Sequence, residues 1–457
     1  MTHKPNTADC FTVQLYVRIS AGQTSFPAIA TDKAWNGGAV EDFLSRQNCG
    51  HSLKTGALPG WSLALQPNGS WTWNIADGEK RLDYLPTPVR QPLDDGHWHH
   101  LAFSVDRQQQ EARLYYDGDN VAIYSLAELG SYHGDSAPRI GTDATMQGAL
   151  LYGEIEGFTL REGISSAEEI ATAWTARNPV KKPARHSEKP LSKIRVLAWN
   201  IWNGGREEGV EEGVERVIDV IRDSRADIVA MQETYGSGPR IADGLGYYFY
   251  SRSSNLSLLS RFPIRETHDL YVDPFRCGGA TFALSPGQCL EVYSLWIHYL
   301  PDFCNDVRQP QANAAALIAA EEKTRGHDIR DILKALSPRL RDKSRTVIVA
   351  GDFNSPSHLD WVPQTRALHR DLVVEWPVSR SMAEAGFTDA YRQARPDPLT
   401  DTGRTWTPRN AESWQDRIDY VYYNGQHMRC RAAEVLEHHP DGWPSDHAAV
   451  LATLQLT

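Results

Sequence analysis

The second half of the chain carries single polar residues at the points where short apolar segments end. Asn200 follows Val196-Leu-Ala-Trp199, and Glu233 follows Ile228-Val-Ala-Met-Gln232. Burying such groups one at a time costs free energy, whereas groups that share a cation and an anionic phosphate satisfy one another. Each of them alone has an ordinary explanation as a loop carboxylate, a core histidine or a turn. The complete ordered set instead indicates a catalytic site: Asn200, Glu233, His298, Asp352, Asn354, Asp419, Asp446 and His447.

These residue types suit chemistry on a phosphate ester beside a divalent cation. Carboxylate and amide oxygens are hard ligands, which favour Mg²⁺ or Mn²⁺ over zinc. An imidazole takes a proton near neutral pH, and a carboxylate on its other nitrogen fixes the tautomer and stabilises the imidazolium. A phosphodiester resists attack because its oxygens are anionic, and a cation together with imidazoles relieves that repulsion.

Alternating strands and helices must position these side chains. The apolar segments that precede the polar residues predict strands, and the amphipathic segment VERVIDVIRDS predicts a helix between the first two of them. The segment ANAAALIAAEEKTRGHDIRDILKAL predicts one long helix before the buried strand TVIVAGDFN. Such a mixture of strands and helices fits an α/β sandwich with two central sheets.

The ordered set, with Gly351-Asp-Phe-Asn354 and Ser445-Asp-His447 intact, resembles the endonuclease/exonuclease/phosphatase superfamily. This superfamily includes deoxyribonuclease I, apurinic endonucleases, bacterial sphingomyelinases and inositol-polyphosphate phosphatases. The resemblance covers nearly all of residues 193–457. It implies a four-layered α/β sandwich of the deoxyribonuclease I type and a phosphoesterase that uses Mg²⁺ or Mn²⁺, with Ca²⁺ as an alternative.

The same resemblance implies a role for each matched residue. Glu233 would be the main metal ligand, with Asn200 beside it, and Asp446 would ligate or orient near the metal. His447 would be the general base, held by Asp419. The remaining residues would act on the phosphate: His298 by hydrogen-bonding it, and Asp352 and Asn354 by orienting the nucleophile and a phosphate oxygen.

The first motif departs from the pattern of the apurinic endonucleases. Those enzymes have Asn-x-Asp there, and the Asp supports metal binding. Here the sequence is Asn200-Ile-Trp202, so that contact is missing. We predict that Trp202 and the neighbouring Asn203 contact the substrate instead.

A long insert between Pro301 and Arg345 separates the His298 strand from the GDFN strand. Its charged helix is typical of a solvated face; the alternative is a cap whose Lys323 or Arg325 meets the substrate. We include Arg325 among the predicted substrate-binding residues.

The segment Asp352-Phe-Asn-Ser-Pro-Ser-His-Leu-Asp-Trp361 also offers side chains for a pocket. His358 is predicted to bind substrate. His358, Asp360 and Trp361 line a pocket in one interpretation and form a packed structural corner in the other, with equal weight.

The sequence of the first half of the chain predicts short antiparallel strands that are separated by turn residues. The ordered pieces GHWHHLAFSVD, RLYYDG, RIGTD and GEIEGFTLREG resemble the concanavalin A-like, laminin-G-like jelly roll over about residues 8–175. We therefore predict an all-β jelly-roll sandwich at 1–178, a Pro- and Lys-rich linker at 179–192 and the phosphoesterase domain at 193–457. A short helix from Ser166 to Thr175 would close the sandwich.

The sandwich resembles modules that bind glycans or proteins at a rim, sometimes with calcium, and we assign it a targeting role. Asp32, Asp117 and Asp119 are conceivable calcium ligands, although turn-forming Asp residues are the favoured interpretation. A metal site at His97, His99 and His100 is disfavoured, because their neighbours indicate a strand with alternating faces.

Charge and composition narrow the function only slightly. The chain has 47 basic and 58 acidic residues, a net charge of −11, without the basic balance that favours nucleic-acid backbones. A small-molecule or lipid-head-group phosphodiester is therefore slightly favoured as substrate. A metal-dependent nuclease is the alternative, and a non-catalytic binding protein is the second alternative.

The chain shows no apolar run long enough to span a membrane and no recognisable leader. We expect a cytoplasmic protein, or a secreted or periplasmic one whose leader has been removed. Free thiols are expected, with a Cys277–Cys289 pair as the alternative.

Overall fold

A computed structural model describes residues 8–23, 25–35, 54–55, 58–134, 136–146, 148–178 and 189–456. The chain divides into two units, which we name by their positions. The N-terminal unit is Met1–Ala184 with Tyr235–Ser254, and the C-terminal unit is Arg185–Thr234 with Asn255–Thr457. Residues 179–188 of the predicted linker lie outside the described residues.

The bounds of the elements follow in chain order. The strands are β1 (Cys10–Ser20), β2 (Ala28–Thr31), β3 (Lys54–Thr55), β4 (Gly60–Leu65), β5 (Trp71–Ala76), β6 (Lys80–Tyr84), β7 (Asp95–Asp106), β8 (Glu111–Tyr116), β9 (Asp119–Ser125), β10 (Arg139–Ile140), β11 (Gly153–Glu162), β12 (Lys193–Asn200), β13 (Ile228–Gln232), β14 (Tyr248–Ser251), β15 (Ser257–Ser260), β16 (Ile264–His268), β17 (Cys277–Ser285), β18 (Gln288–Trp296), β19 (Val347–Asp352), β20 (Thr388–Asp389), β21 (Asp419–Asn424), β22 (Met428–Leu436) and β23 (Ala449–Leu456). The helices are α1 (Ala167–Arg177), α2 (Glu212–Ser224), α3 (Gly238–Leu245), α4 (Phe303–Arg308), α5 (Ala314–Glu322), α6 (Arg325–Arg341), α7 (Pro377–Glu384) and α8 (Ala390–Ala394). Short 3₁₀ helices cover Asn203–Gly205 and Pro363–Leu368.

Two sheets form the N-terminal unit. The strands of the first run in the order β11-β1-β7-β8-β9-β14, and those of the second in the order β10-β2-β4-β5-β6-β3. Aromatic side chains from both sheets meet between them: the Phe103 ring lies 5.2 Å from Trp61 and 6.1 Å from Trp73. The predicted all-β sandwich is therefore confirmed.

Local sequence signals in this unit are also confirmed. Asp117 and Gly118 both take positive φ angles, 50° and 80°, as a tight hairpin between β8 and β9 requires. Helix α1 begins after Ser166, whose side chain accepts from the backbone N–H of Glu169. Glu169 in turn accepts from the Ser166 N–H, so the pair forms a capping box.

One segment of the second half of the chain belongs to the N-terminal unit. Strand β14 pairs in parallel with β9, and the Phe249 ring packs at 5.9 Å on Tyr124. The Asp243 carboxylate, at the buried end of the preceding helix, accepts from Gln91 Nε2 at 2.9 Å and from the Thr87 hydroxyl. The predicted division into 1–178 and 193–457 differs from the observed units at this segment, because strand pairing between distant residues decides where it packs.

Two sheets also form the core of the C-terminal unit, in the orders β15-β13-β12-β23-β22 and β16-β17-β18-β19-β21-β20. Helices α6 and α7 pack on the second sheet through residues such as Ile329, Ile332 and Met382. Gly351 is closely packed on two sides: a Cβ there would lie 2.0 Å from the Leu295 carbonyl oxygen of the neighbouring strand β18 and 2.9 Å from Gln232 Nε2 of the other sheet. Only glycine fits there, which explains the first position of the GDFN motif. The two sheets, with helices packed on the second, confirm the predicted α/β sandwich.

The predicted single helix before the GDFN strand is wrong, because the chain breaks between α5 and α6 at Lys323 and Thr324. Glu321 is fully buried and Arg325 is 1% exposed, with Arg325 Nε 3.5 Å from a Glu321 carboxylate oxygen. The Glu321 carboxylate also accepts from the Ser355 hydroxyl and the Val378 N–H. Two residues of the predicted solvated face therefore form a buried ion pair, and Lys323 is exposed.

Buried histidine makes the stability of this unit depend on pH. His268 is 2% exposed, and its Nδ1 accepts from Arg339 at 2.9 Å. Burial, reinforced by Arg339, lowers the pKa of His268 to about 4. The folded chain thus holds a neutral imidazole, whose stabilisation is complete above the unfolded pKa near 6.5 and is lost as the pH falls through 4.

We predict that the free energy of unfolding falls by up to about 3 kcal/mol between pH 7 and pH 4 through this residue alone. Urea titrations at several pH values measure it, with His268→Gln expected to flatten the dependence. His327→Gln, at a 65% exposed side chain, is the matched control and should leave it unchanged. The same pH slope in His268→Gln and wild type would contradict the prediction.

Candidate active site

The ends of strands from both sheets of the C-terminal unit meet at one edge. Asn200 ends β12, Glu233 follows β13, and Asp352 ends β19 beside Asp419 in the antiparallel register. Asn200 Nδ2 lies 3.1 Å from Glu233 Oε1 and 3.1 Å from Asp352 Oδ2. The structure thus brings together the residues that the strand-end pattern singled out, with His447 Nε2 3.5 Å from the same amide nitrogen.

The Asn200 side chain forms hydrogen bonds through both of its polar atoms. Its Oδ1 accepts the Trp202 backbone N–H at 3.0 Å, so its Nδ2 faces the carboxylates. The amide donates to Glu233 and Asp352 in this arrangement, and the role of Asn200 as a metal ligand stays a prediction. The backbone N–H of Asn203 donates to the other Glu233 oxygen at 3.2 Å, so the turn after β12 wraps the Glu233 carboxylate.

Asp419 and His447 form a buried dyad. His447 Nδ1 lies 3.0 Å from Asp419 Oδ2, and His447 Nε2 lies 3.8 Å from Asp352 Oδ2. The Ser445 hydroxyl donates to the Asn200 carbonyl at 2.7 Å and accepts the His447 N–H at 3.0 Å, which explains the SDH motif. This bridge ties the His447 loop to the end of β12.

Thr405 is a positioning residue that sequence reasoning missed. Its hydroxyl accepts the backbone N–H groups of Ile418 and Asp419 at 3.0 and 3.1 Å, and its carbonyl accepts the Ala448 N–H at 2.8 Å. One residue thus connects both halves of the dyad. Thr405 lies in an irregular segment away from any apolar strand end. The pattern of polar residues at the ends of apolar segments therefore could not reveal it.

The buried charges of the site perturb one another. Burial alone would lower the pKa of His447, but the Asp419 and Asp352 carboxylates outweigh it and raise that pKa well above its usual value. Burial raises the pKa of Asp352 to about 7, with His447 opposing and Asp419 adding to the rise. The protonation states of Asp352, Asp419 and His447 therefore depend on one another, because the three groups are buried together.

The residues fit a divalent cation. Burial raises the pKa of Asp446 to about 6 against the charge of His447, and the Glu233 carboxylate adds to the rise. The buried Asp446 Oδ1 and Asp419 Oδ1 have no hydrogen-bond partner among the described residues. Asp352, Asp419 and His447 also offer ligand atoms within 4.8 Å of one another. A cation would relieve the repulsion between Glu233 and Asp446 with hard oxygen ligands.

Strained backbone marks the same place. Trp202, Asn203, Glu233 and Asn354 all take φ angles near +50° although none is glycine. Such conformations cost free energy, and they cluster where function requires side chains at fixed positions. The Asn354 side chain donates to Asp352 at 3.1 Å and to the Ile297 carbonyl at 2.9 Å, which links the GDFN loop to the segment before His298.

His298 stands exposed at the rim with a defined tautomer. Its Nδ1 accepts the Leu300 N–H at 3.0 Å, so the proton of the neutral ring lies on Nε2. Arg325 Nη1 donates to the carbonyls of Tyr299 and Pro301 at 2.8 and 2.9 Å. Arg325 is buried, so it holds the His298 loop from behind in place of the predicted contact with substrate.

The other predicted substrate residues differ in their surroundings. Trp202 is half-buried, with the Arg409 guanidinium 5.0 Å above its ring, and the Asn203 amide donates to Glu207. His358 is half-buried and bonds through Nδ1 and its backbone N–H to the Ser379 hydroxyl, both at 2.8 Å.

The neighbours of His358 form the packed corner rather than a pocket wall. Trp361 is fully buried and donates to Asp416, while Asp360 is held by the Arg392 and Arg417 guanidinium groups.

The N-terminal unit uses its predicted metal candidates in structural contacts. Asp117 accepts the His100 N–H at 2.9 Å, and the buried His99 ring lies between Asp95 and Asp117 at 3.1 Å from each. Asp32 accepts the Trp61 N–H at 2.6 Å. Cys277 and Cys289 are free thiols. Among the described residues, no helix combines the length and the apolar character needed to cross a membrane.

Comparisons with known proteins agree with this arrangement. Residues 197–447 match the sequence model of the Endonuclease/Exonuclease/phosphatase family, and residues 2–171 match that of the Concanavalin A-like lectin/glucanases superfamily. An uncharacterized protein of Caenorhabditis elegans is 30% identical over 289 residues, which cover 57% of this chain and 90% of that protein.

Solved structures with a similar fold include truncated Caenorhabditis elegans TDP2, at 15% identity and a TM-score of 0.39 over 57% of this chain and 98% of that chain. An AP endonuclease from Archaeoglobus fulgidus matches at 16% identity and a TM-score of 0.40, over 57% and 98% of the two chains.

Proposed function

Since the chain belongs to the endonuclease/exonuclease/phosphatase family of metal-dependent phosphoric ester hydrolases, we propose that it cleaves phosphodiesters with a water molecule that His447 deprotonates. The buried Asp419–His447 dyad carries this proposal. Asp419 accepts the proton on Nδ1, which leaves Nε2 as the basic nitrogen. A cation beside the carboxylates would offset the charge that raises the pKa of His447, so that Nε2 could accept a proton near neutral pH. Nε2 faces Asp352 Oδ2 at 3.8 Å, so both groups can contact one water molecule placed between them.

The step balances as follows. The water oxygen forms the new bond to phosphorus, its proton passes to His447 Nε2, and the ester oxygen leaves with the electrons of the broken bond. Asp352 and Asn354 orient the water and a phosphate oxygen. His298 donates its Nε2 proton in a hydrogen bond to the phosphate as negative charge develops. A divalent cation held by Glu233 and Asp446 supplies Lewis-acid polarisation of a phosphate oxygen when bound.

The preference for a small or lipid-derived substrate has no support in this site. That preference came from the net charge of the whole chain, whereas a local groove decides which substrate binds. A nucleic acid is therefore as well supported as a small phosphodiester as the substrate class. The catalytic step is the same for both, because each presents a phosphorus atom with two ester oxygens.

We predict that removing divalent metal abolishes hydrolysis of a small activated phosphodiester and that Mg²⁺ or Mn²⁺ restores it. Glu233→Gln should lower kcat/KM by about a hundredfold and raise the Mg²⁺ concentration needed for half-maximal activity, because a neutral amide binds a hard cation more weakly. Steady-state rates across a Mg²⁺ titration provide the measurement.

Glu434→Gln is the matched control, since Glu434 is an exposed residue of the edge strand β22 and is not among the residues assigned to the site. It should leave the Mg²⁺ dependence as in wild type. Full turnover by a metal-stripped enzyme, verified by elemental analysis, would contradict the proposed role of the cation.

A further inference from the structure

Two apolar residues stand exposed directly after His298. The side chain of Tyr299 is 52% exposed and that of Leu300 is 47% exposed. Exposed apolar side chains are common when scattered, but these two adjoin the residue proposed to bind the phosphate. Their position makes them candidates for contact with whatever group the phosphate carries.

The loop that presents Tyr299 is held rigidly. Arg325 donates to the Tyr299 and Pro301 carbonyls, and it lies 3.5 Å from the His298 carbonyl as well. Arg325 is itself fixed by the buried carboxylate of Glu321. A buried guanidinium with three carbonyl partners keeps the backbone in one conformation, so the exposed ring is presented in a defined orientation.

The orientation of the ring favours a planar ligand. The Tyr299 and His298 rings are stacked with centroids 4.9 Å apart and planes 12° from parallel. Trp296 supports the same imidazole edge-to-face, at 6.0 Å and 71°. Aromatic rings in this arrangement accept a further planar ring by offset stacking, which nucleobases do readily because each has a π-face.

We propose that Tyr299 determines specificity by stacking on a nucleobase attached to the scissile phosphate. This inference rests on the proposed function, because it places the phosphate at His298. It makes the substrate a nucleotide-containing diester, and it assigns Tyr299 to binding and leaves the chemical step to His447. An alkyl chain would bury apolar area against the ring but would lack the offset stacking that a base adds, so a preference for the alkyl ester is an outcome that the experiment can reveal.

The experiment compares two diesters that share one leaving group. These are the p-nitrophenyl ester of thymidine monophosphate and ethyl p-nitrophenyl phosphate, with hexyl p-nitrophenyl phosphate as the apolar comparison. The wild type should prefer the thymidine ester over the ethyl ester by about tenfold or more in kcat/KM, as one base–aromatic stack allows. Tyr299→Leu should lose most of that preference, and Tyr299→Phe should keep it.

Tyr271→Leu is the control for removal of an exposed ring, because Tyr271 is 96% exposed and lies in the same unit. It should retain the wild-type preference. A wild type without the thymidine preference, a wild type that favours the hexyl ester, or a Tyr299→Leu variant that keeps the preference would overturn the proposal.

A binding arm separates this inference from the proposed function. Calorimetry with Mg²⁺ compares thymidine monophosphate with ethyl phosphate on wild type and Tyr299→Leu. If none of the diesters is hydrolysed, the proposed function fails, and the inference stands or falls on whether Tyr299→Leu weakens thymidine monophosphate selectively by about tenfold.

Discussion

His447→Ala lowers kcat on a small phosphodiester by about a thousandfold or more, with little change in KM. A positioned general base contributes about 10²–10⁴-fold to such a reaction. His447 is buried, and its Nδ1 is committed to Asp419, so Nε2 is the nitrogen that can accept the proton of the water. Asp419→Asn should lower kcat by about a hundredfold, because the ring then loses the carboxylate that fixes its tautomer and stabilises the imidazolium.

The two effects should not add. Residues that act as one unit lose most of their contribution when either is removed, so the double variant should be little slower than His447→Ala. Single-turnover rates for the four proteins of the cycle measure this. His327→Ala, at an exposed histidine of the same unit, is the control and should turn over like wild type. Additive losses in folded variants, verified by cooperative melts, would show that Asp419 does not serve His447.

The strand-end pattern picked out residues that the structure brings close together, because its signals are local. An apolar strand that stops at a polar residue can be read from a few neighbouring letters, and strands of two packed sheets bring such ends to one edge. Asp352 and Asp419 illustrate this, since they face each other in the register of adjacent strands. The glycine of GDFN was also recognisable as part of a motif. The steric reason for it, the close approach of Leu295 and Gln232, is seen only in the structure.

Orientation and burial could not be predicted in the same way. The Asn200 amide faces the carboxylates because a backbone N–H two residues later holds its oxygen. Arg325 belongs to a charged helix that resembles a solvated face, yet a break in that helix turns it inward to Glu321. The orientation of Asn200 and the burial of Arg325 depend on hydrogen-bond partners and on local backbone conformation. Residue type and spacing alone indicate neither of them.

The segment Tyr235–Ser254 shows most clearly that strand pairing between residues distant in the chain determines where a segment packs. Its residues form the short helix α3 and the strand β14. Which sheet the strand joins depends on β9, more than a hundred positions earlier in the chain. The segment leaves the C-terminal unit directly after Thr234 and returns at Asn255.

Thr234 and Asn255, where the segment departs and returns, lie beside Glu233. The Asn255 side chain accepts the Glu233 N–H at 2.8 Å, and the Thr234 N–H donates to the Asn255 carbonyl at 3.1 Å. Asn255 also donates to the Phe275 carbonyl at 2.9 Å. Any disorder that spreads from the segment into Thr234 or Asn255 therefore disturbs the backbone that carries Glu233.

We predict that deleting residues 1–184 destabilises the remaining chain and lowers its activity, because the segment Tyr235–Ser254 would lose packing partners in the N-terminal unit. Strand β14 would lose its partner β9, and Phe249, which is 2% exposed, would lose its cover at a cost of about 1.5–3 kcal/mol. Asp243 would lose its contacts with Gln91 and Thr87.

A second deletion gives the matched comparison. The same truncated chain, with Tyr235–Ser254 replaced by a short Gly/Ser loop, should melt cooperatively and hydrolyse a small phosphodiester, because Thr234 and Asn255 are already close enough to be joined. Circular dichroism melts and kcat on that substrate compare the two truncated chains with the full chain. A simple deletion of 1–184 that folds and turns over like the full chain would show that the segment does not need β9. Failure of both truncated chains would show that the C-terminal unit requires the sandwich for more than this one segment.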